Sequence, residues 1–276
     1  MWAECVLPSL FPFMCITLIF VKTGMAEKAS LPLRRVTGKL KLPPATAPCF
    51  ILSVCSGYPA GSKVVSEFYE NGAFLKRESP KVAYLCSTSG PLFIIGSVGF
   101  KMFGDKLIGV KILLAHVFAV TIVSLIIALF SKKSSSTEIR RAVPCGNALY
   151  EAFYGAVTAV TVAGGFIAFF YVVSAFCSDF NLFYPAEKFL NLMLDGQTSS
   201  AVCVGLVEAT TGCLALSAIG GKLQIALAGF LITFGGLSIL LQQLSYLIKA
   251  GVKPFKFICV KFLQGLLCFF LLLLIA

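Results

Sequence analysis

Acidic residues are scarce in this 276-residue chain: 12 Asp and Glu stand against 23 Lys and Arg, and charged residues of all kinds make up only 13%. A soluble domain needs more charge than that, because much of its exterior stays wet. With 58% of residues hydrophobic, a bilayer is the solvent that accepts the surface. Histidine is scarcer still. His116 stands alone, which leaves a metal site without a second imidazole, and the eleven cysteines contain no C-x-x-C pair. In apolar segments such cysteines act as small hydrophobes, so neither a metal nor a redox cofactor is expected. The chain has no phosphate-binding loop, no nucleophile beside a base and no metal-ligand spacing, so it is not expected to be an enzyme. A cleaved signal peptide is not expected either, because the first apolar run starts almost at Met1, carries Pro8 and Pro12, and follows no basic stretch.

What the sequence has is apolar length and basic flanks. The formal charge of +11 would point to nucleic acid in a soluble protein. Here most Lys and Arg flank apolar runs, where they set orientation and meet anionic lipid. The lipid bilayer is the expected partner, and nucleic acid is not. A span needs about twenty apolar residues, and 5–22, 83–100, 107–131, 152–177, 223–248 and 257–276 supply them. Two further runs, within 45–75 and 199–220, are apolar but broken by Gly, Pro and Thr. If both are re-entrant, one membrane face collects 18 basic residues and the other 5; if both cross, the division is 14 to 9. Cytoplasmic loops are rich in Lys and Arg, which favours the re-entrant arrangement, with basic loops in the cytoplasm and both termini outside.

The expected fold class is therefore an all-α polytopic membrane protein built from two inverted-topology repeats, 1–141 and 142–276, with about six full spans and two re-entrant hairpins. Each repeat reads as span, amphipathic linker (28–42, then 184–194), broken run, span, span. Ser89–Gly96 aligns with Ala228–Gly235, and Gly109-Val110-Lys111 with Gly251-Val252-Lys253. Three crossings precede the second repeat, so it enters upside down, as in secondary transporters whose sites lie at discontinuous helices.

Three segments carry the candidate substrate-binding chemistry. In Ser56-Gly57-Tyr58-Pro59-Ala60-Gly61-Ser62-Lys63 a helix must stop at Gly57, since Pro59 has no N–H and biases Tyr58 out of the α region. Backbone groups freed there need protein or water partners. A helix restarting near Ser62, with Lys63 in its first turn, would favour an anion; the same string would also suit a cytoplasmic loop with Lys63 solvated. Ser87-Thr88-Ser89-Gly90-Pro91 breaks the 83–100 span and either binds substrate through hydroxyls or is a proline kink with back-bonded hydroxyls. Gly205-Leu206-Val207-Glu208-Ala209-Thr210-Thr211-Gly212 sets one intramembrane carboxylate beside Thr210, Thr211 and Gly212, a functional candidate by default. Glu208 would accept a proton, bind Na⁺ or pair with Lys63, so proton or Na⁺ coupling is the one cofactor-like expectation. Gly164-Gly165 reads as a close helix contact.

With these residues in view, the chain resembles the sporulation integral membrane protein YlbJ family (stage V sporulation protein V), within the wider group of nucleoside-recognition "Gate" domain membrane proteins. The resemblance rests on Leu7-Pro8-Ser9-Leu10-Phe11-Pro12-Phe13, Ser56–Lys63 as an S-G-[FY]-P-A-G-[SA]-K string, Ser89–Gly96, Gly164-Gly165-Phe166-Ile167 and Gly205–Gly212. It implies a bacterial multi-pass membrane protein that moves a small anionic metabolite, dipicolinate, across the outer forespore membrane during endospore formation. It also implies kinship with nucleoside and ion transporters of the Gate type. A non-transporting scaffold for spore assembly is the competing expectation. The chain departs from the family in starting just before the L-P-S-L-F-P-F string, where members carry a further apolar segment, and in having Ser87-Thr88-Ser89 where Asn would be expected.

Overall fold

The computed structural model describes residues 7–132 and 147–276, and no strand occurs among them. The first apolar run forms α1 (Leu7–Lys22), followed by two short helices, α2 (Met25–Ser30) and α3 (Arg34–Lys39). Next come α4 (Thr46–Ser56) and α5 (Ala60–Glu70), a hairpin of two half-helices, then α6 (Ser79–Leu85) and a π-helix, π1 (Leu92–Met102). A long helix, α7 (Lys106–Leu129), completes this part. The rest begins with the longest helix, α8 (Ala148–Asp179), and the short α9 (Tyr184–Leu190). It continues through the half-helices α10 (Gly196–Val207) and α11 (Ala209–Ile219), then α12 (Lys222–Phe234), α13 (Gly236–Leu247) and α14 (Pro254–Ile275). Among the described residues, four stretches are long and apolar enough to cross a membrane: α7, α8, α14 and Lys222–Leu247, which joins α12 to α13. The protein is an all-helical, polytopic membrane protein.

Several boundaries differ from expectation, each for a local reason. The 83–100 span is not one helix. Residues 86–90 leave helical geometry before Pro91, and only π1 resumes the run. The 223–248 span is also interrupted, at Gly235 and Gly236 with φ of 99° and 59°, a left-handed region that glycine enters without steric cost. The 28–42 linker forms two helices of six residues rather than one. The last span starts at Pro254 instead of 257, which suits proline at the first helical position. Gly165 makes no close helix contact, since a side chain there would meet open space. Ser89–Gly96 opens π1 whereas Ala228–Gly235 closes α12, so these two strings do not occupy equivalent places. Residues 5 and 6 of the first expected span, and the basic residues Lys133, Arg140 and Arg141, lie outside the described residues.

The chain forms two compact units, and each draws on both halves of the sequence. Unit 1 comprises residues 1–90, 120–162 and 243–260; unit 2 comprises 91–119, 163–242 and 261–276. In unit 1 the hairpin helix α5 buries Val64, Val65 and Phe68 completely, at the three- and four-residue spacing of one helix face. A small cluster of Leu42, Leu85 and Ala128 packs nearby with Phe50 and Leu125. Unit 2 holds a larger core in which Ile94 of π1 and Ile112 of α7 pack with Leu216, Leu231 and Leu272.

Candidate functional site

In unit 1, α4 ends as the sequence requires. Gly57 adopts φ 72° and ψ −168°, and Pro59 can donate no N–H to continue the helix. The Gly57 amide closes α4 by donating to the Ser53 carbonyl at 2.8 Å. The restart comes at Ala60, two residues before Ser62, and the amides of Gly61 and Lys63 donate back to the carbonyls of Gly57 and Pro59. These two donors of the α5 N-terminus are thus held by the turn itself.

The structure brings this turn against the second break. A Cβ on Gly57 would lie 2.5 Å from the Gly90 nitrogen, so the two backbones are in direct contact. Ser53 Oγ lies 3.0 Å from Thr88 Oγ1 and donates to the Cys86 carbonyl, and Tyr58 Oη donates to the Ser87 carbonyl at 3.1 Å. Ser87 Oγ back-bonds to the Ala83 carbonyl at 2.7 Å. Ser56, Ser62, Ser87, Thr88 and Ser89 are all buried, so the hydroxyls line protein and not a surface loop.

Lys63 leaves this group of hydroxyls and reaches towards α8. Its Nζ donates to the Gly155 carbonyl at 3.1 Å and lies 5.9 Å from the Tyr246 ring centroid. One turn on, Glu67 pairs with Lys22 of α1 at 2.9 Å, and Lys22 also reaches Glu151 of α8 at 3.4 Å. The α1, α5 and α8 faces are therefore tied by ionic groups that the sequence pattern did not connect.

In unit 2 the break falls on Glu208, whose backbone is extended (φ −132°, ψ 103°) between α10 and α11. Its side chain is 1% exposed and turns back on its own helix. Oε1 accepts the Thr210 amide at 3.1 Å; Oε2 accepts the Thr211 amide and the Thr211 hydroxyl, both at 2.7 Å. The negative charge that a helix N-terminus favours is thus supplied by the chain itself. The α10 and α11 halves touch where a Cβ on Gly212 would meet Gly205 Cα at 2.2 Å. The Gly235–Gly236 break approaches the same turn: a Cβ on Gly236 would lie 2.8 Å from the Gly205 carbonyl oxygen and 3.3 Å from the Ala209 nitrogen.

Three buried polar residues had no place in the sequence reading of the site. Gln243 in unit 1 is 0% exposed; its Oε1 receives Ser62 Oγ at 3.4 Å, and its Nε2 has no hydrogen-bond partner among the described residues. The signal was present in the Gln242-Gln243 pair, two amides inside an otherwise apolar run. In unit 2, His116 Nδ1 lies 2.9 Å from Thr233 Oγ1, and Thr233 also hydrogen-bonds Cys268. Lys261 interacts electrostatically with His116, and both are 0% exposed. Lys261 is one of the 18 basic residues assigned to the cytoplasmic face although it falls within the expected 257–276 span, and the structure buries it in α14. Ionisable groups inside spans are costly and mark functional sites. Lys261→Met is expected to leave the melting temperature of the detergent-solubilised protein unchanged or higher, because burying an ammonium costs several kcal/mol. A lower melting temperature would show instead that the ammonium holds these helices together.

No family model matches the chain, and no solved structure matches it. Among curated proteins, the sporulation integral membrane protein YlbJ of Bacillus subtilis (strain 168) is 23% identical over 295 residues. That similarity covers 96% of this chain and 72% of the relative. The chain is similar to the YlbJ sporulation protein along nearly its whole length. Coverage this complete takes in both half-helix hairpins, at Gly57 and at Glu208, as well as the long spans between and after them. The YlbJ relative is an integral membrane protein, which agrees with the four apolar stretches here.

Proposed function

We propose that this chain is a membrane permease for a small anionic metabolite, with dipicolinate in endospore formation as the leading substrate. The observation that carries the reading is that each compact unit presses one helix break against another. Gly57 meets Gly90 in unit 1, and Gly236 meets Gly205 and Ala209 in unit 2. Broken backbone at membrane depth is tolerated only in protein or beside a water-filled cavity, and transporters place their sites there. The element order supports two inverted repeats: α1, α2–α3, α4–α5, α6–π1, α7, then α8, α9, α10–α11, α12–α13, α14. Residues 45–75 and 199–220 are then re-entrant hairpins, the basic loops are cytoplasmic, and both termini are outside. The sporulation role rests on the YlbJ relative, a sporulation protein by name, and the outer forespore membrane is what the family resemblance implies.

Ser62, Gln243 and Lys63 give unit 1 a hydroxyl, an amide and a cation, the donors a planar dianion needs. Glu208, Thr210, Thr211 and the His116–Lys261 group in unit 2 suit proton or Na⁺ coupling. The deciding experiment is uptake into proteoliposomes of labelled dipicolinate against labelled uridine, with and without a proton or Na⁺ gradient. Gradient-driven dipicolinate uptake is the expected result. Uridine uptake in its place would favour a nucleoside carrier, and uptake of neither substrate would favour a scaffold. Lys63→Ala is expected to lower dipicolinate uptake by about tenfold or more, the worth of one charge-assisted hydrogen bond. Full uptake by that variant would remove Lys63 from the site.

A further inference from the structure

Unit 1 contains a cavity of about 1010 Å³ that shares no lining residue with the Gly57 turn, the 86–90 break or Lys63. Its walls come from α6 and the loop before it, the end of α7, and the start of α14 with the loop before it. Six cations line it, namely Lys76, Arg77, Lys81, Lys132, Lys253 and Lys256, against the single carboxylate of Glu78. That carboxylate serves the fold: Glu78 is buried, and its Oε2 accepts the Leu75 amide at 2.9 Å. Lys81 likewise donates to the main-chain carbonyls of Lys41 and Lys132, and Lys41 Nζ donates to the Leu129 carbonyl at the end of α7. Lys76, Arg77, Lys132, Lys253 and Lys256 are exposed around the cavity. So many like charges around one space create a positive potential that an anion relieves.

The cavity is not polar throughout. Tyr84 and Val260 line it and are buried, Ile127 is half-buried, and Phe255, another lining residue, is 79% exposed. A free inorganic anion would satisfy the cations and leave this apolar wall wet. An amphiphile would satisfy both. The cavity lies where two spans end, α7 at its C-terminus and α14 at its N-terminus, which is headgroup depth in a bilayer. We propose that this cavity binds an anionic phospholipid, with its phosphate among Lys76, Lys253 and Lys256 and its upper acyl chain along Tyr84, Ile127 and Phe255.

The test uses the full chain, purified in detergent and stripped of lipid. Dioleoyl-phosphatidylglycerol, dioleoyl-phosphatidylcholine and inorganic phosphate are added separately, and bound lipid is counted by native mass spectrometry. Phosphatidylglycerol is expected to bind roughly tenfold to a hundredfold more tightly than phosphatidylcholine, and the triple variant K76Q/K253Q/K256Q to lose that preference. R34Q/R35Q/K39Q, which removes the same charge from α3, is expected to keep it. The single variants K253Q and K256Q serve if the triple does not fold, each with a partial loss. Equal binding of the two lipids, or equal loss in the α3 variant, would overturn the proposal. Displacement of phosphatidylglycerol by inorganic phosphate or dipicolinate would also overturn it, by showing a soluble-anion site.

Discussion

Replacing Gly57 with alanine is expected to abolish the folded protein, not merely to slow it. At φ 72° and ψ −168° the residue occupies a region that is essentially restricted to glycine, and a side chain there costs of order 1–3 kcal/mol before any contact is considered. The contact is worse than the strain. The new Cβ would sit 2.5 Å from the Gly90 nitrogen and 2.9 Å from its Cα, both backbone atoms held by the break they belong to. Relief requires the α4–α5 turn to separate from residues 86–90, which also disturbs the Ser53–Thr88 and Tyr58–Ser87 hydrogen bonds. Two controls separate these causes. Gly104→Ala meets a similar φ of 74° with nothing within 4 Å, so it should show the strain alone. Gly165→Ala has neither strain nor a neighbour and should be silent. Monodisperse yield in size-exclusion chromatography, with thermal melting of what survives, reads all three. A Gly57→Ala protein of normal yield and melting temperature would show that the two breaks do not touch as described.

Glu208→Gln is expected to damage both stability and transport. The carboxylate accepts three hydrogen bonds, from the Thr210 and Thr211 amides and the Thr211 hydroxyl. An amide keeps one acceptor oxygen and turns an NH₂ towards the remaining donors. Leaving a buried donor unsatisfied costs about 1–3 kcal/mol. Removing the charge from the α11 N-terminus adds a few tenths to about 1 kcal/mol. Thr211→Val removes only the hydroxyl donor and leaves both amide bonds, so its stability loss should be the smaller of the two. If the carboxylate also exchanges a proton or Na⁺ during transport, Glu208→Gln loses gradient-driven uptake while Thr211→Val retains it. Equal uptake loss in the two variants, in proportion to their lost stability, would reduce Glu208 to a helix cap.

The way Glu208 is used marks the boundary between sequence and structure. Sequence alone determined that the chain lives in a bilayer and is helical, because hydropathy and the shortage of charge are sums over residues and need no coordinates. It also determined that the helix must stop at Gly57–Pro59, since a missing N–H is a property of proline wherever the chain goes. The apolar runs were legible for the same reason, but not that the 83–100 and 223–248 runs are each two elements or that the 28–42 linker forms two helices. What no local rule could decide was which break faces which. The contacts of Gly57 with Gly90, and of Gly236 with Gly205, join residues about thirty apart through backbone approaches that only packing selects. Lys261 read as a loop cation because charge predicts exposure on average; helix packing overrode that average and buried it with His116. Tertiary structure likewise turned the Glu208 carboxylate onto its own helix, because a buried carboxylate must be satisfied by the donors within reach, here the Thr210 and Thr211 amides.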